Sequence, residues 1–103
     1  MTQDILNWVY PAFVDTQCKT KGMRDRQILA AMGLMSEAGE LGDVWKKHLF
    51  HDQPLDEEAM ILEMGDVLWY FVLMCIDNGI SFQEIMERNM AKLKARQLER
   101  EGE

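Results

Sequence analysis

Two pairs of acids constrain this chain more than any other feature. Glu37 and Glu40 stand in Ser36-Glu-Ala-Gly-Glu-Leu41, and Glu63 and Asp66 in Leu62-Glu-Met-Gly-Asp-Val67. The two acids of each pair are three residues apart. On a helix that spacing puts both side chains on one face, with Cβ atoms about 5–6 Å apart. Solvated acidic faces usually carry Lys or Arg four residues on, and neither pair has such a partner. Both pairs are set in apolar sequence: Met35, Ala38 and Leu41 around the first, Leu62, Met64 and Val67 around the second. Four carboxylates converging between two helices would repel, and burying them unpaired costs several kcal/mol per ion. Something positive must sit among them. Oxygen-only ligation favours a hard cation such as Mg²⁺ or Mn²⁺.

Taken singly, one such pair is better read as the solvent-facing acids of an amphipathic helix. Two pairs on successive helices, each embedded in apolar sequence, favour the metal. A di-iron carboxylate bundle is the rival, but it needs Glu-x-x-His motifs. His48 and His51 fall at a helix end beside a loop and read as solvated residues.

The rest of the chain is read as helical. Val, Ile and Thr do not alternate with polar residues for long, so strands have little support. A first helix is expected from about Thr2 to Thr20, with a partial apolar stripe of Ile5, Trp8 and Phe13, kinked or split at Pro11. Lys19-Thr-Lys-Gly22 reads as a loop. A second helix, about Arg24 to Leu49, carries Ile28, Ala31, Met32, Met35, Ala38 and Trp45 at three- and four-residue steps. Gly33, Gly39 and Gly42 each weaken it by ~1 kcal/mol relative to Ala; close helix–helix approach is the favoured reason. A third helix runs from about Asp56, its cap, to Asp77, with Asn78-Gly79 ending it. A fourth starts at the capping box Ser81–Glu84 and continues through Ile85, Met86 and Leu93 to about Leu98. The expected fold is all-α: an antiparallel four-helix bundle-like protomer, residues 1–103 forming one domain, with oligomerisation to cover its apolar faces. Nine methionines suit the core of such a bundle.

Composition excludes some functions. A net charge of −7 is a poor basis for binding nucleic-acid backbone. The N-terminal stretch lacks a basic start and a continuous apolar run, so it is not read as a signal peptide. Val67 to Ile76, the most apolar run, is too short to span a bilayer, so no membrane partner is expected. Cys18 and Cys75 lack metal-type spacing and read as free thiols, consistent with a cytoplasmic protein.

The spacing Glu37-x-x-Glu40, then 22 residues, then Glu63-x-x-Asp66 resembles the signature of the MazG-like nucleotide pyrophosphohydrolases, in the all-α NTP pyrophosphatase group. Gly65-Asp-Val-Leu-Trp-Tyr70 and Asn89-Met-Ala-Lys-Leu-Lys-Ala-Arg96 carry the likeness further, over roughly Ile28 to Arg96. One departure is Ser36, where the family often has a first glutamate. The resemblance implies Mg²⁺-dependent hydrolysis of a nucleoside triphosphate to the monophosphate and pyrophosphate. It also implies a homodimer or homotetramer with neighbouring subunits completing the site.

The four acids would then be both metal ligands and catalytic groups, with no one of them singled out as base. Asn89, Lys92 and Arg96 share a helix face that can donate to phosphate oxygens. On spacing alone that face reads as a solvated helix end; the family match favours function. Tyr70, four beyond Asp66, could stack on a base or ribose, and Lys47, seven beyond Glu40, could meet phosphate. Trp8, Trp45 and Trp69 are better read as core. The competing function is a non-catalytic helical module that binds a protein partner, or one that sequesters nucleotides without cleaving them.

Overall fold

The computed structural model describes residues 5–102. Among these residues the chain is helical throughout, with no strand. A π-helical turn, Ile5–Val9, leads into α1, Tyr10–Gln17; α2 is Met23–Phe50, α3 is Glu57–Asn78 and α4 is Phe82–Glu101. The change from π to α winding falls beside Pro11, which has no N–H to give the preceding turn. The expected start of the first helix at Thr2 lies outside the described residues.

The helix ends follow from local chemistry. Gly22, at φ 90°, turns the chain into α2 in a backbone region that favours glycine. The Asp56 carboxylate accepts from the Ala59 N–H at 3.0 Å and caps α3. Gly79, at φ 64°, closes α3 in a left-handed conformation, its N–H donating to the Ile76 carbonyl at 3.2 Å. The Ser81 hydroxyl accepts from the Glu84 N–H at 3.1 Å and starts α4.

Packing is concentrated in one antiparallel hairpin. α2 lies along α3, α1 packs on α3, and α4 packs along neither of the two long helices. Val14, Ala30, Val72 and Leu73 are buried, one cluster where α1, α2 and α3 meet, flanked by Tyr10, Leu29, Trp69 and Met74. An ion pair clamps the same end. The Arg26 guanidinium donates to Asp77 at 3.0 Å and to Asp15 at 3.0 Å, tying α2 to α3 and α1. α4 stays joined to α3 through the short turn and the stacking of Phe82 on Phe71, with ring centroids 5.7 Å apart. The Cα radius of gyration is 17.0 Å, against about 13 Å for a compact domain of this length. One chain therefore shows the expected helices without closing them into a bundle.

The inward faces differ from those expected. On α1 the buried side is Tyr10, Val14 and Cys18, while Ile5, Trp8 and Phe13 are exposed. On α2 the positions shielded from solvent are Arg26, Leu29, Ala30, Gly33, Leu34, Glu37, Leu41, Val44 and His48. The stripe of Ile28, Ala31, Met32, Met35, Ala38 and Trp45 is on the exposed side, Met35 being 70% accessible. Most of the methionines expected in a core are likewise on the surface. The periodicity was real, but the richest apolar stripe is not the one that meets α3.

α3 is also, by length and composition, apolar enough to cross a membrane; the expectation that no segment would be rested on the shorter run inside it. Glu63 and Asp66 lie in its middle, where a bilayer would charge about 2.5–3.5 kcal/mol for an ionised side chain.

The Arg26–Asp77 pair should govern the stability of the hairpin's open end. Removing Asp77, with 3% of its side chain accessible, leaves the largely buried Arg26 with the exposed Asp15 as its remaining counterion. Asp77→Ala should lower the unfolding free energy by about 3 kcal/mol. Asp15→Ala, at a 58% exposed side chain, should change it by less than about 1 kcal/mol. Urea denaturation followed by circular dichroism measures both.

Candidate functional site

The hairpin brings the two acid pairs together. Glu37 lies on the face of α2 turned to α3, and Glu63 and Asp66 lie one turn apart along α3. Carboxylate oxygens of Glu37, Glu63 and Asp66 are all within 4.8 Å of one another. Glu40, one turn beyond Glu37 and exposed, adds its charge to the same cluster. Thus all four acids singled out by spacing converge, three as a compact ligand set and the fourth at its open edge.

The electrostatics match the crowding. Burial, then the closeness of the Glu63 carboxyl, then the charges of Glu40 and Asp66 push the Glu37 carboxyl up to about 7. Glu37 Oε2 and Glu63 Oε2 are shielded from solvent and have no hydrogen-bond partner. Buried polar atoms are ordinarily partnered, and an orphan calls for an explanation. Two neighbouring carboxylates, each with an oxygen left unpartnered among the described residues, offer the kind of donors a hard cation takes. These residues fit a divalent metal, which would be held by Glu37, Glu63 and Asp66 with Glu40 alongside.

The surroundings of the cluster leave room for a ligand. A Cβ added at Gly39, Gly42 or Gly65 would meet none of the described atoms within 4 Å. Close helix–helix approach, the reason expected for the α2 glycines, therefore applies at Gly33 alone, where a Cβ would overlap the Tyr70 ring. Tyr70 is half-buried in that notch, with its edge to Trp69 at a centroid distance of 5.0 Å.

The expected phosphate-binding residues are not brought to the acids by this chain. Lys47 is exposed and its ammonium lies 4.0 Å from Asp43, one turn back on the same helix. Asn89 and Lys92 line a shallow groove with Ile80, Glu84, Ile85 and Arg88, and Arg96 is exposed further along α4. Since α4 does not pack along α2 or α3, this face stands apart from the carboxylates. Of the tryptophans, Trp69 packs against the core, Trp45 edges onto His48 at the far end of α2, and Trp8 is exposed. His48 is not free in solvent: its Nδ1 is 2.8 Å from the Gln53 carbonyl, closing the α2–α3 loop.

Sequence reasoning assigned no site role to Tyr10. Burial, and then the charge of Asp66, raise its hydroxyl above the ordinary tyrosine range. The available signal was the four-residue step Tyr10–Val14–Cys18, which marks the inward face of α1.

Residues 27–100 match the family model of the MazG nucleotide pyrophosphohydrolase domain. The chain belongs to this family. The match includes both acid pairs and the Asn89–Arg96 segment of α4; it begins within α2, and α1 precedes it. A Mycobacterium phage L5 protein described as "Gene 37 protein" is 30% identical over 69 residues. That alignment covers 63% of this chain and 60% of the phage protein. No solved structure matches the chain significantly.

The raised Glu37 carboxyl fixes the sign of a pH effect. Its folded value, about 7, lies above its ordinary 4.5. The folded state therefore binds the proton more tightly, and without metal the domain should lose stability as pH rises through that interval. Thermal midpoints measured between pH 5 and 8 in EDTA should fall with pH. Glu37→Gln should flatten the slope, and saturating Mg²⁺ should reverse it, because cation and proton compete for the same oxygens.

Proposed function

We propose that this domain is a Mg²⁺-dependent nucleoside triphosphate pyrophosphohydrolase, acting on (d)NTPs in nucleotide-pool house-cleaning, with Mn²⁺ able to replace Mg²⁺. The observation that carries the reading is the pair of buried, unpartnered oxygens on Glu37 and Glu63, inside a three-carboxylate cluster within a MazG domain. A triphosphate would be repelled by a chain of net charge −7 unless cations bridged the two. Bound Mg²⁺ would supply charge screening for the phosphates and a water of lowered pKa.

The chain's own residues then have distinct tasks. Glu37, Glu63 and Asp66 would hold the cation. Glu40, exposed at the rim, is free to orient the attacking water or take its proton. Attack of that water on the α-phosphorus breaks the α–β anhydride bond, leaving a nucleoside monophosphate and pyrophosphate. The departing charge needs donors, and Asn89, Lys92 and Arg96 are suited to give them, Arg96 in a fork. Tyr10, whose hydroxyl feels the charge of Asp66, is suited to the sugar or base.

The donors require a second copy of the chain. The face of α4 bearing Asn89, Lys92 and Arg96 stands apart from the acids of its own chain. The unpartnered side of α2 (Met32, Met35) and that of α3 (Ile61, Leu62, Met64) are broadly exposed. Exposed apolar area on this scale favours association. In a homodimer or homotetramer the partner's α4 would complete the site, in a cytoplasmic setting where both thiols stay reduced. The same exposed faces would serve the competing reading, a non-catalytic helical module that docks on another protein.

Two measurements separate these readings. A panel of nucleoside triphosphates with Mg²⁺ should release pyrophosphate from at least one; release from none would support the non-catalytic module. Glu40→Gln and Asp66→Asn should each lower turnover by at least about a thousandfold, since carboxylates acting as one unit fail together, while the helical circular dichroism stays unchanged. Full Mg²⁺-dependent activity in either variant, or orthophosphate as first product, would overturn the assignment.

A further inference from the structure

We propose that Gly33 and Tyr70 form a spacer that sets the separation of the two metal-bearing helices, and that Tyr70 acts as a positioning residue through its ring rather than its hydroxyl. This inference rests on the metal reading of the acid cluster. Gly33 lies one turn before Glu37 on the face of α2 turned to α3, and Tyr70 one turn after Asp66 on α3. The ring of Tyr70 occupies the place a Cβ at 33 would take, its Cδ1, Cε1 and Cζ atoms being the nearest. The contact is therefore ring edge against helix backbone.

Gly33 is in ordinary helical conformation, absent from the glycines with positive φ. Its backbone does not require glycine. Propensity alone makes Gly33→Ala stabilising. What requires glycine is the ring. Interhelical distance follows the side chains at the contact, so a methyl group at 33 must either expel the ring or push α2 from α3. One turn along, about 5.4 Å, Glu37 must face Glu63 and Asp66 with its oxygens within 4.8 Å of theirs. Metal–ligand distances tolerate only about 0.2 Å. A displacement too small to unfold the hairpin is thus large enough to spoil the ligand set. The other α2 glycines provide the contrast, since Gly42 has open space where its Cβ would go.

The test is Mn²⁺ affinity, measured by titration calorimetry with the full chain and accompanied by circular dichroism. Gly33→Ala should weaken binding by about tenfold or more, the scale seen when groups that orient metal ligands are lost. Tyr70→Phe, which keeps every ring atom of the contact, should bind within about twofold of wild type. Adding Gly33→Ala to Tyr70→Leu should cost less than about threefold relative to Tyr70→Leu alone, because the clash is gone. That double variant also covers the case in which Gly33→Ala alone fails to fold. Gly42→Ala should leave affinity unchanged. Unchanged affinity in Gly33→Ala, a tenfold loss in Tyr70→Phe, or a full loss retained in the double variant would each overturn the spacer. Wild-type protein that bound no Mn²⁺ would overturn the metal reading itself, and this inference with it.

Discussion

Repulsion among carboxylates is the constraint around which α2 and α3 are built. The hairpin that buries Ala30, Val72 and Leu73 also forces Glu37 against Glu63 and Asp66. Ionised carboxylates at that separation, with solvent removed from two of their oxygens, oppose the same packing that holds the hairpin together. A proton can relieve the strain, which is why the Glu37 carboxyl rises to about 7. A divalent cation relieves it more completely, because it satisfies several oxygens at once. On the proposed function, the cation would complete the fold, and site and stability would be parts of one balance.

The acid cluster was legible in the sequence because it depends on two local facts: three-residue spacing, and helices long enough to lie side by side. The helix ends were legible for a similar reason. Asp56, Gly79, Ser81 and Gly22 act through hydrogen bonds or backbone angles within a few residues of themselves. Packing faces were not legible. The side of α2 that meets α3 carries Gly33, Glu37 and His48 among its apolar residues, so its hydrophobicity is lower than that of the side left exposed. A functional face that must hold acids and a notch for a ring gives up the signal by which an inward face is normally recognised.

The remaining disagreement concerns α4. Its sequence reads correctly as a capped helix, and the MazG match includes it. On the proposed assembly, it packs against a second copy of the chain. A helix whose apolar residues Met86, Met90 and Leu93 are about half exposed gains most of its stability from a partner surface. The same logic applies to Lys47, drawn to Asp43 by simple helical proximity in place of a phosphate. On the proposed assembly, the acids and the cationic face belong to different copies, which lets a strongly acidic chain meet a strongly acidic substrate.

The central claim is that Glu37, Glu63 and Asp66 ligate a divalent cation. The most direct measurement is anomalous scattering from crystals grown with Mn²⁺. A peak about 2.1 Å from an oxygen of each of the three residues is the predicted result. Ordered protein whose anomalous map is empty at this cluster, or whose Mn²⁺ lies elsewhere, would contradict it.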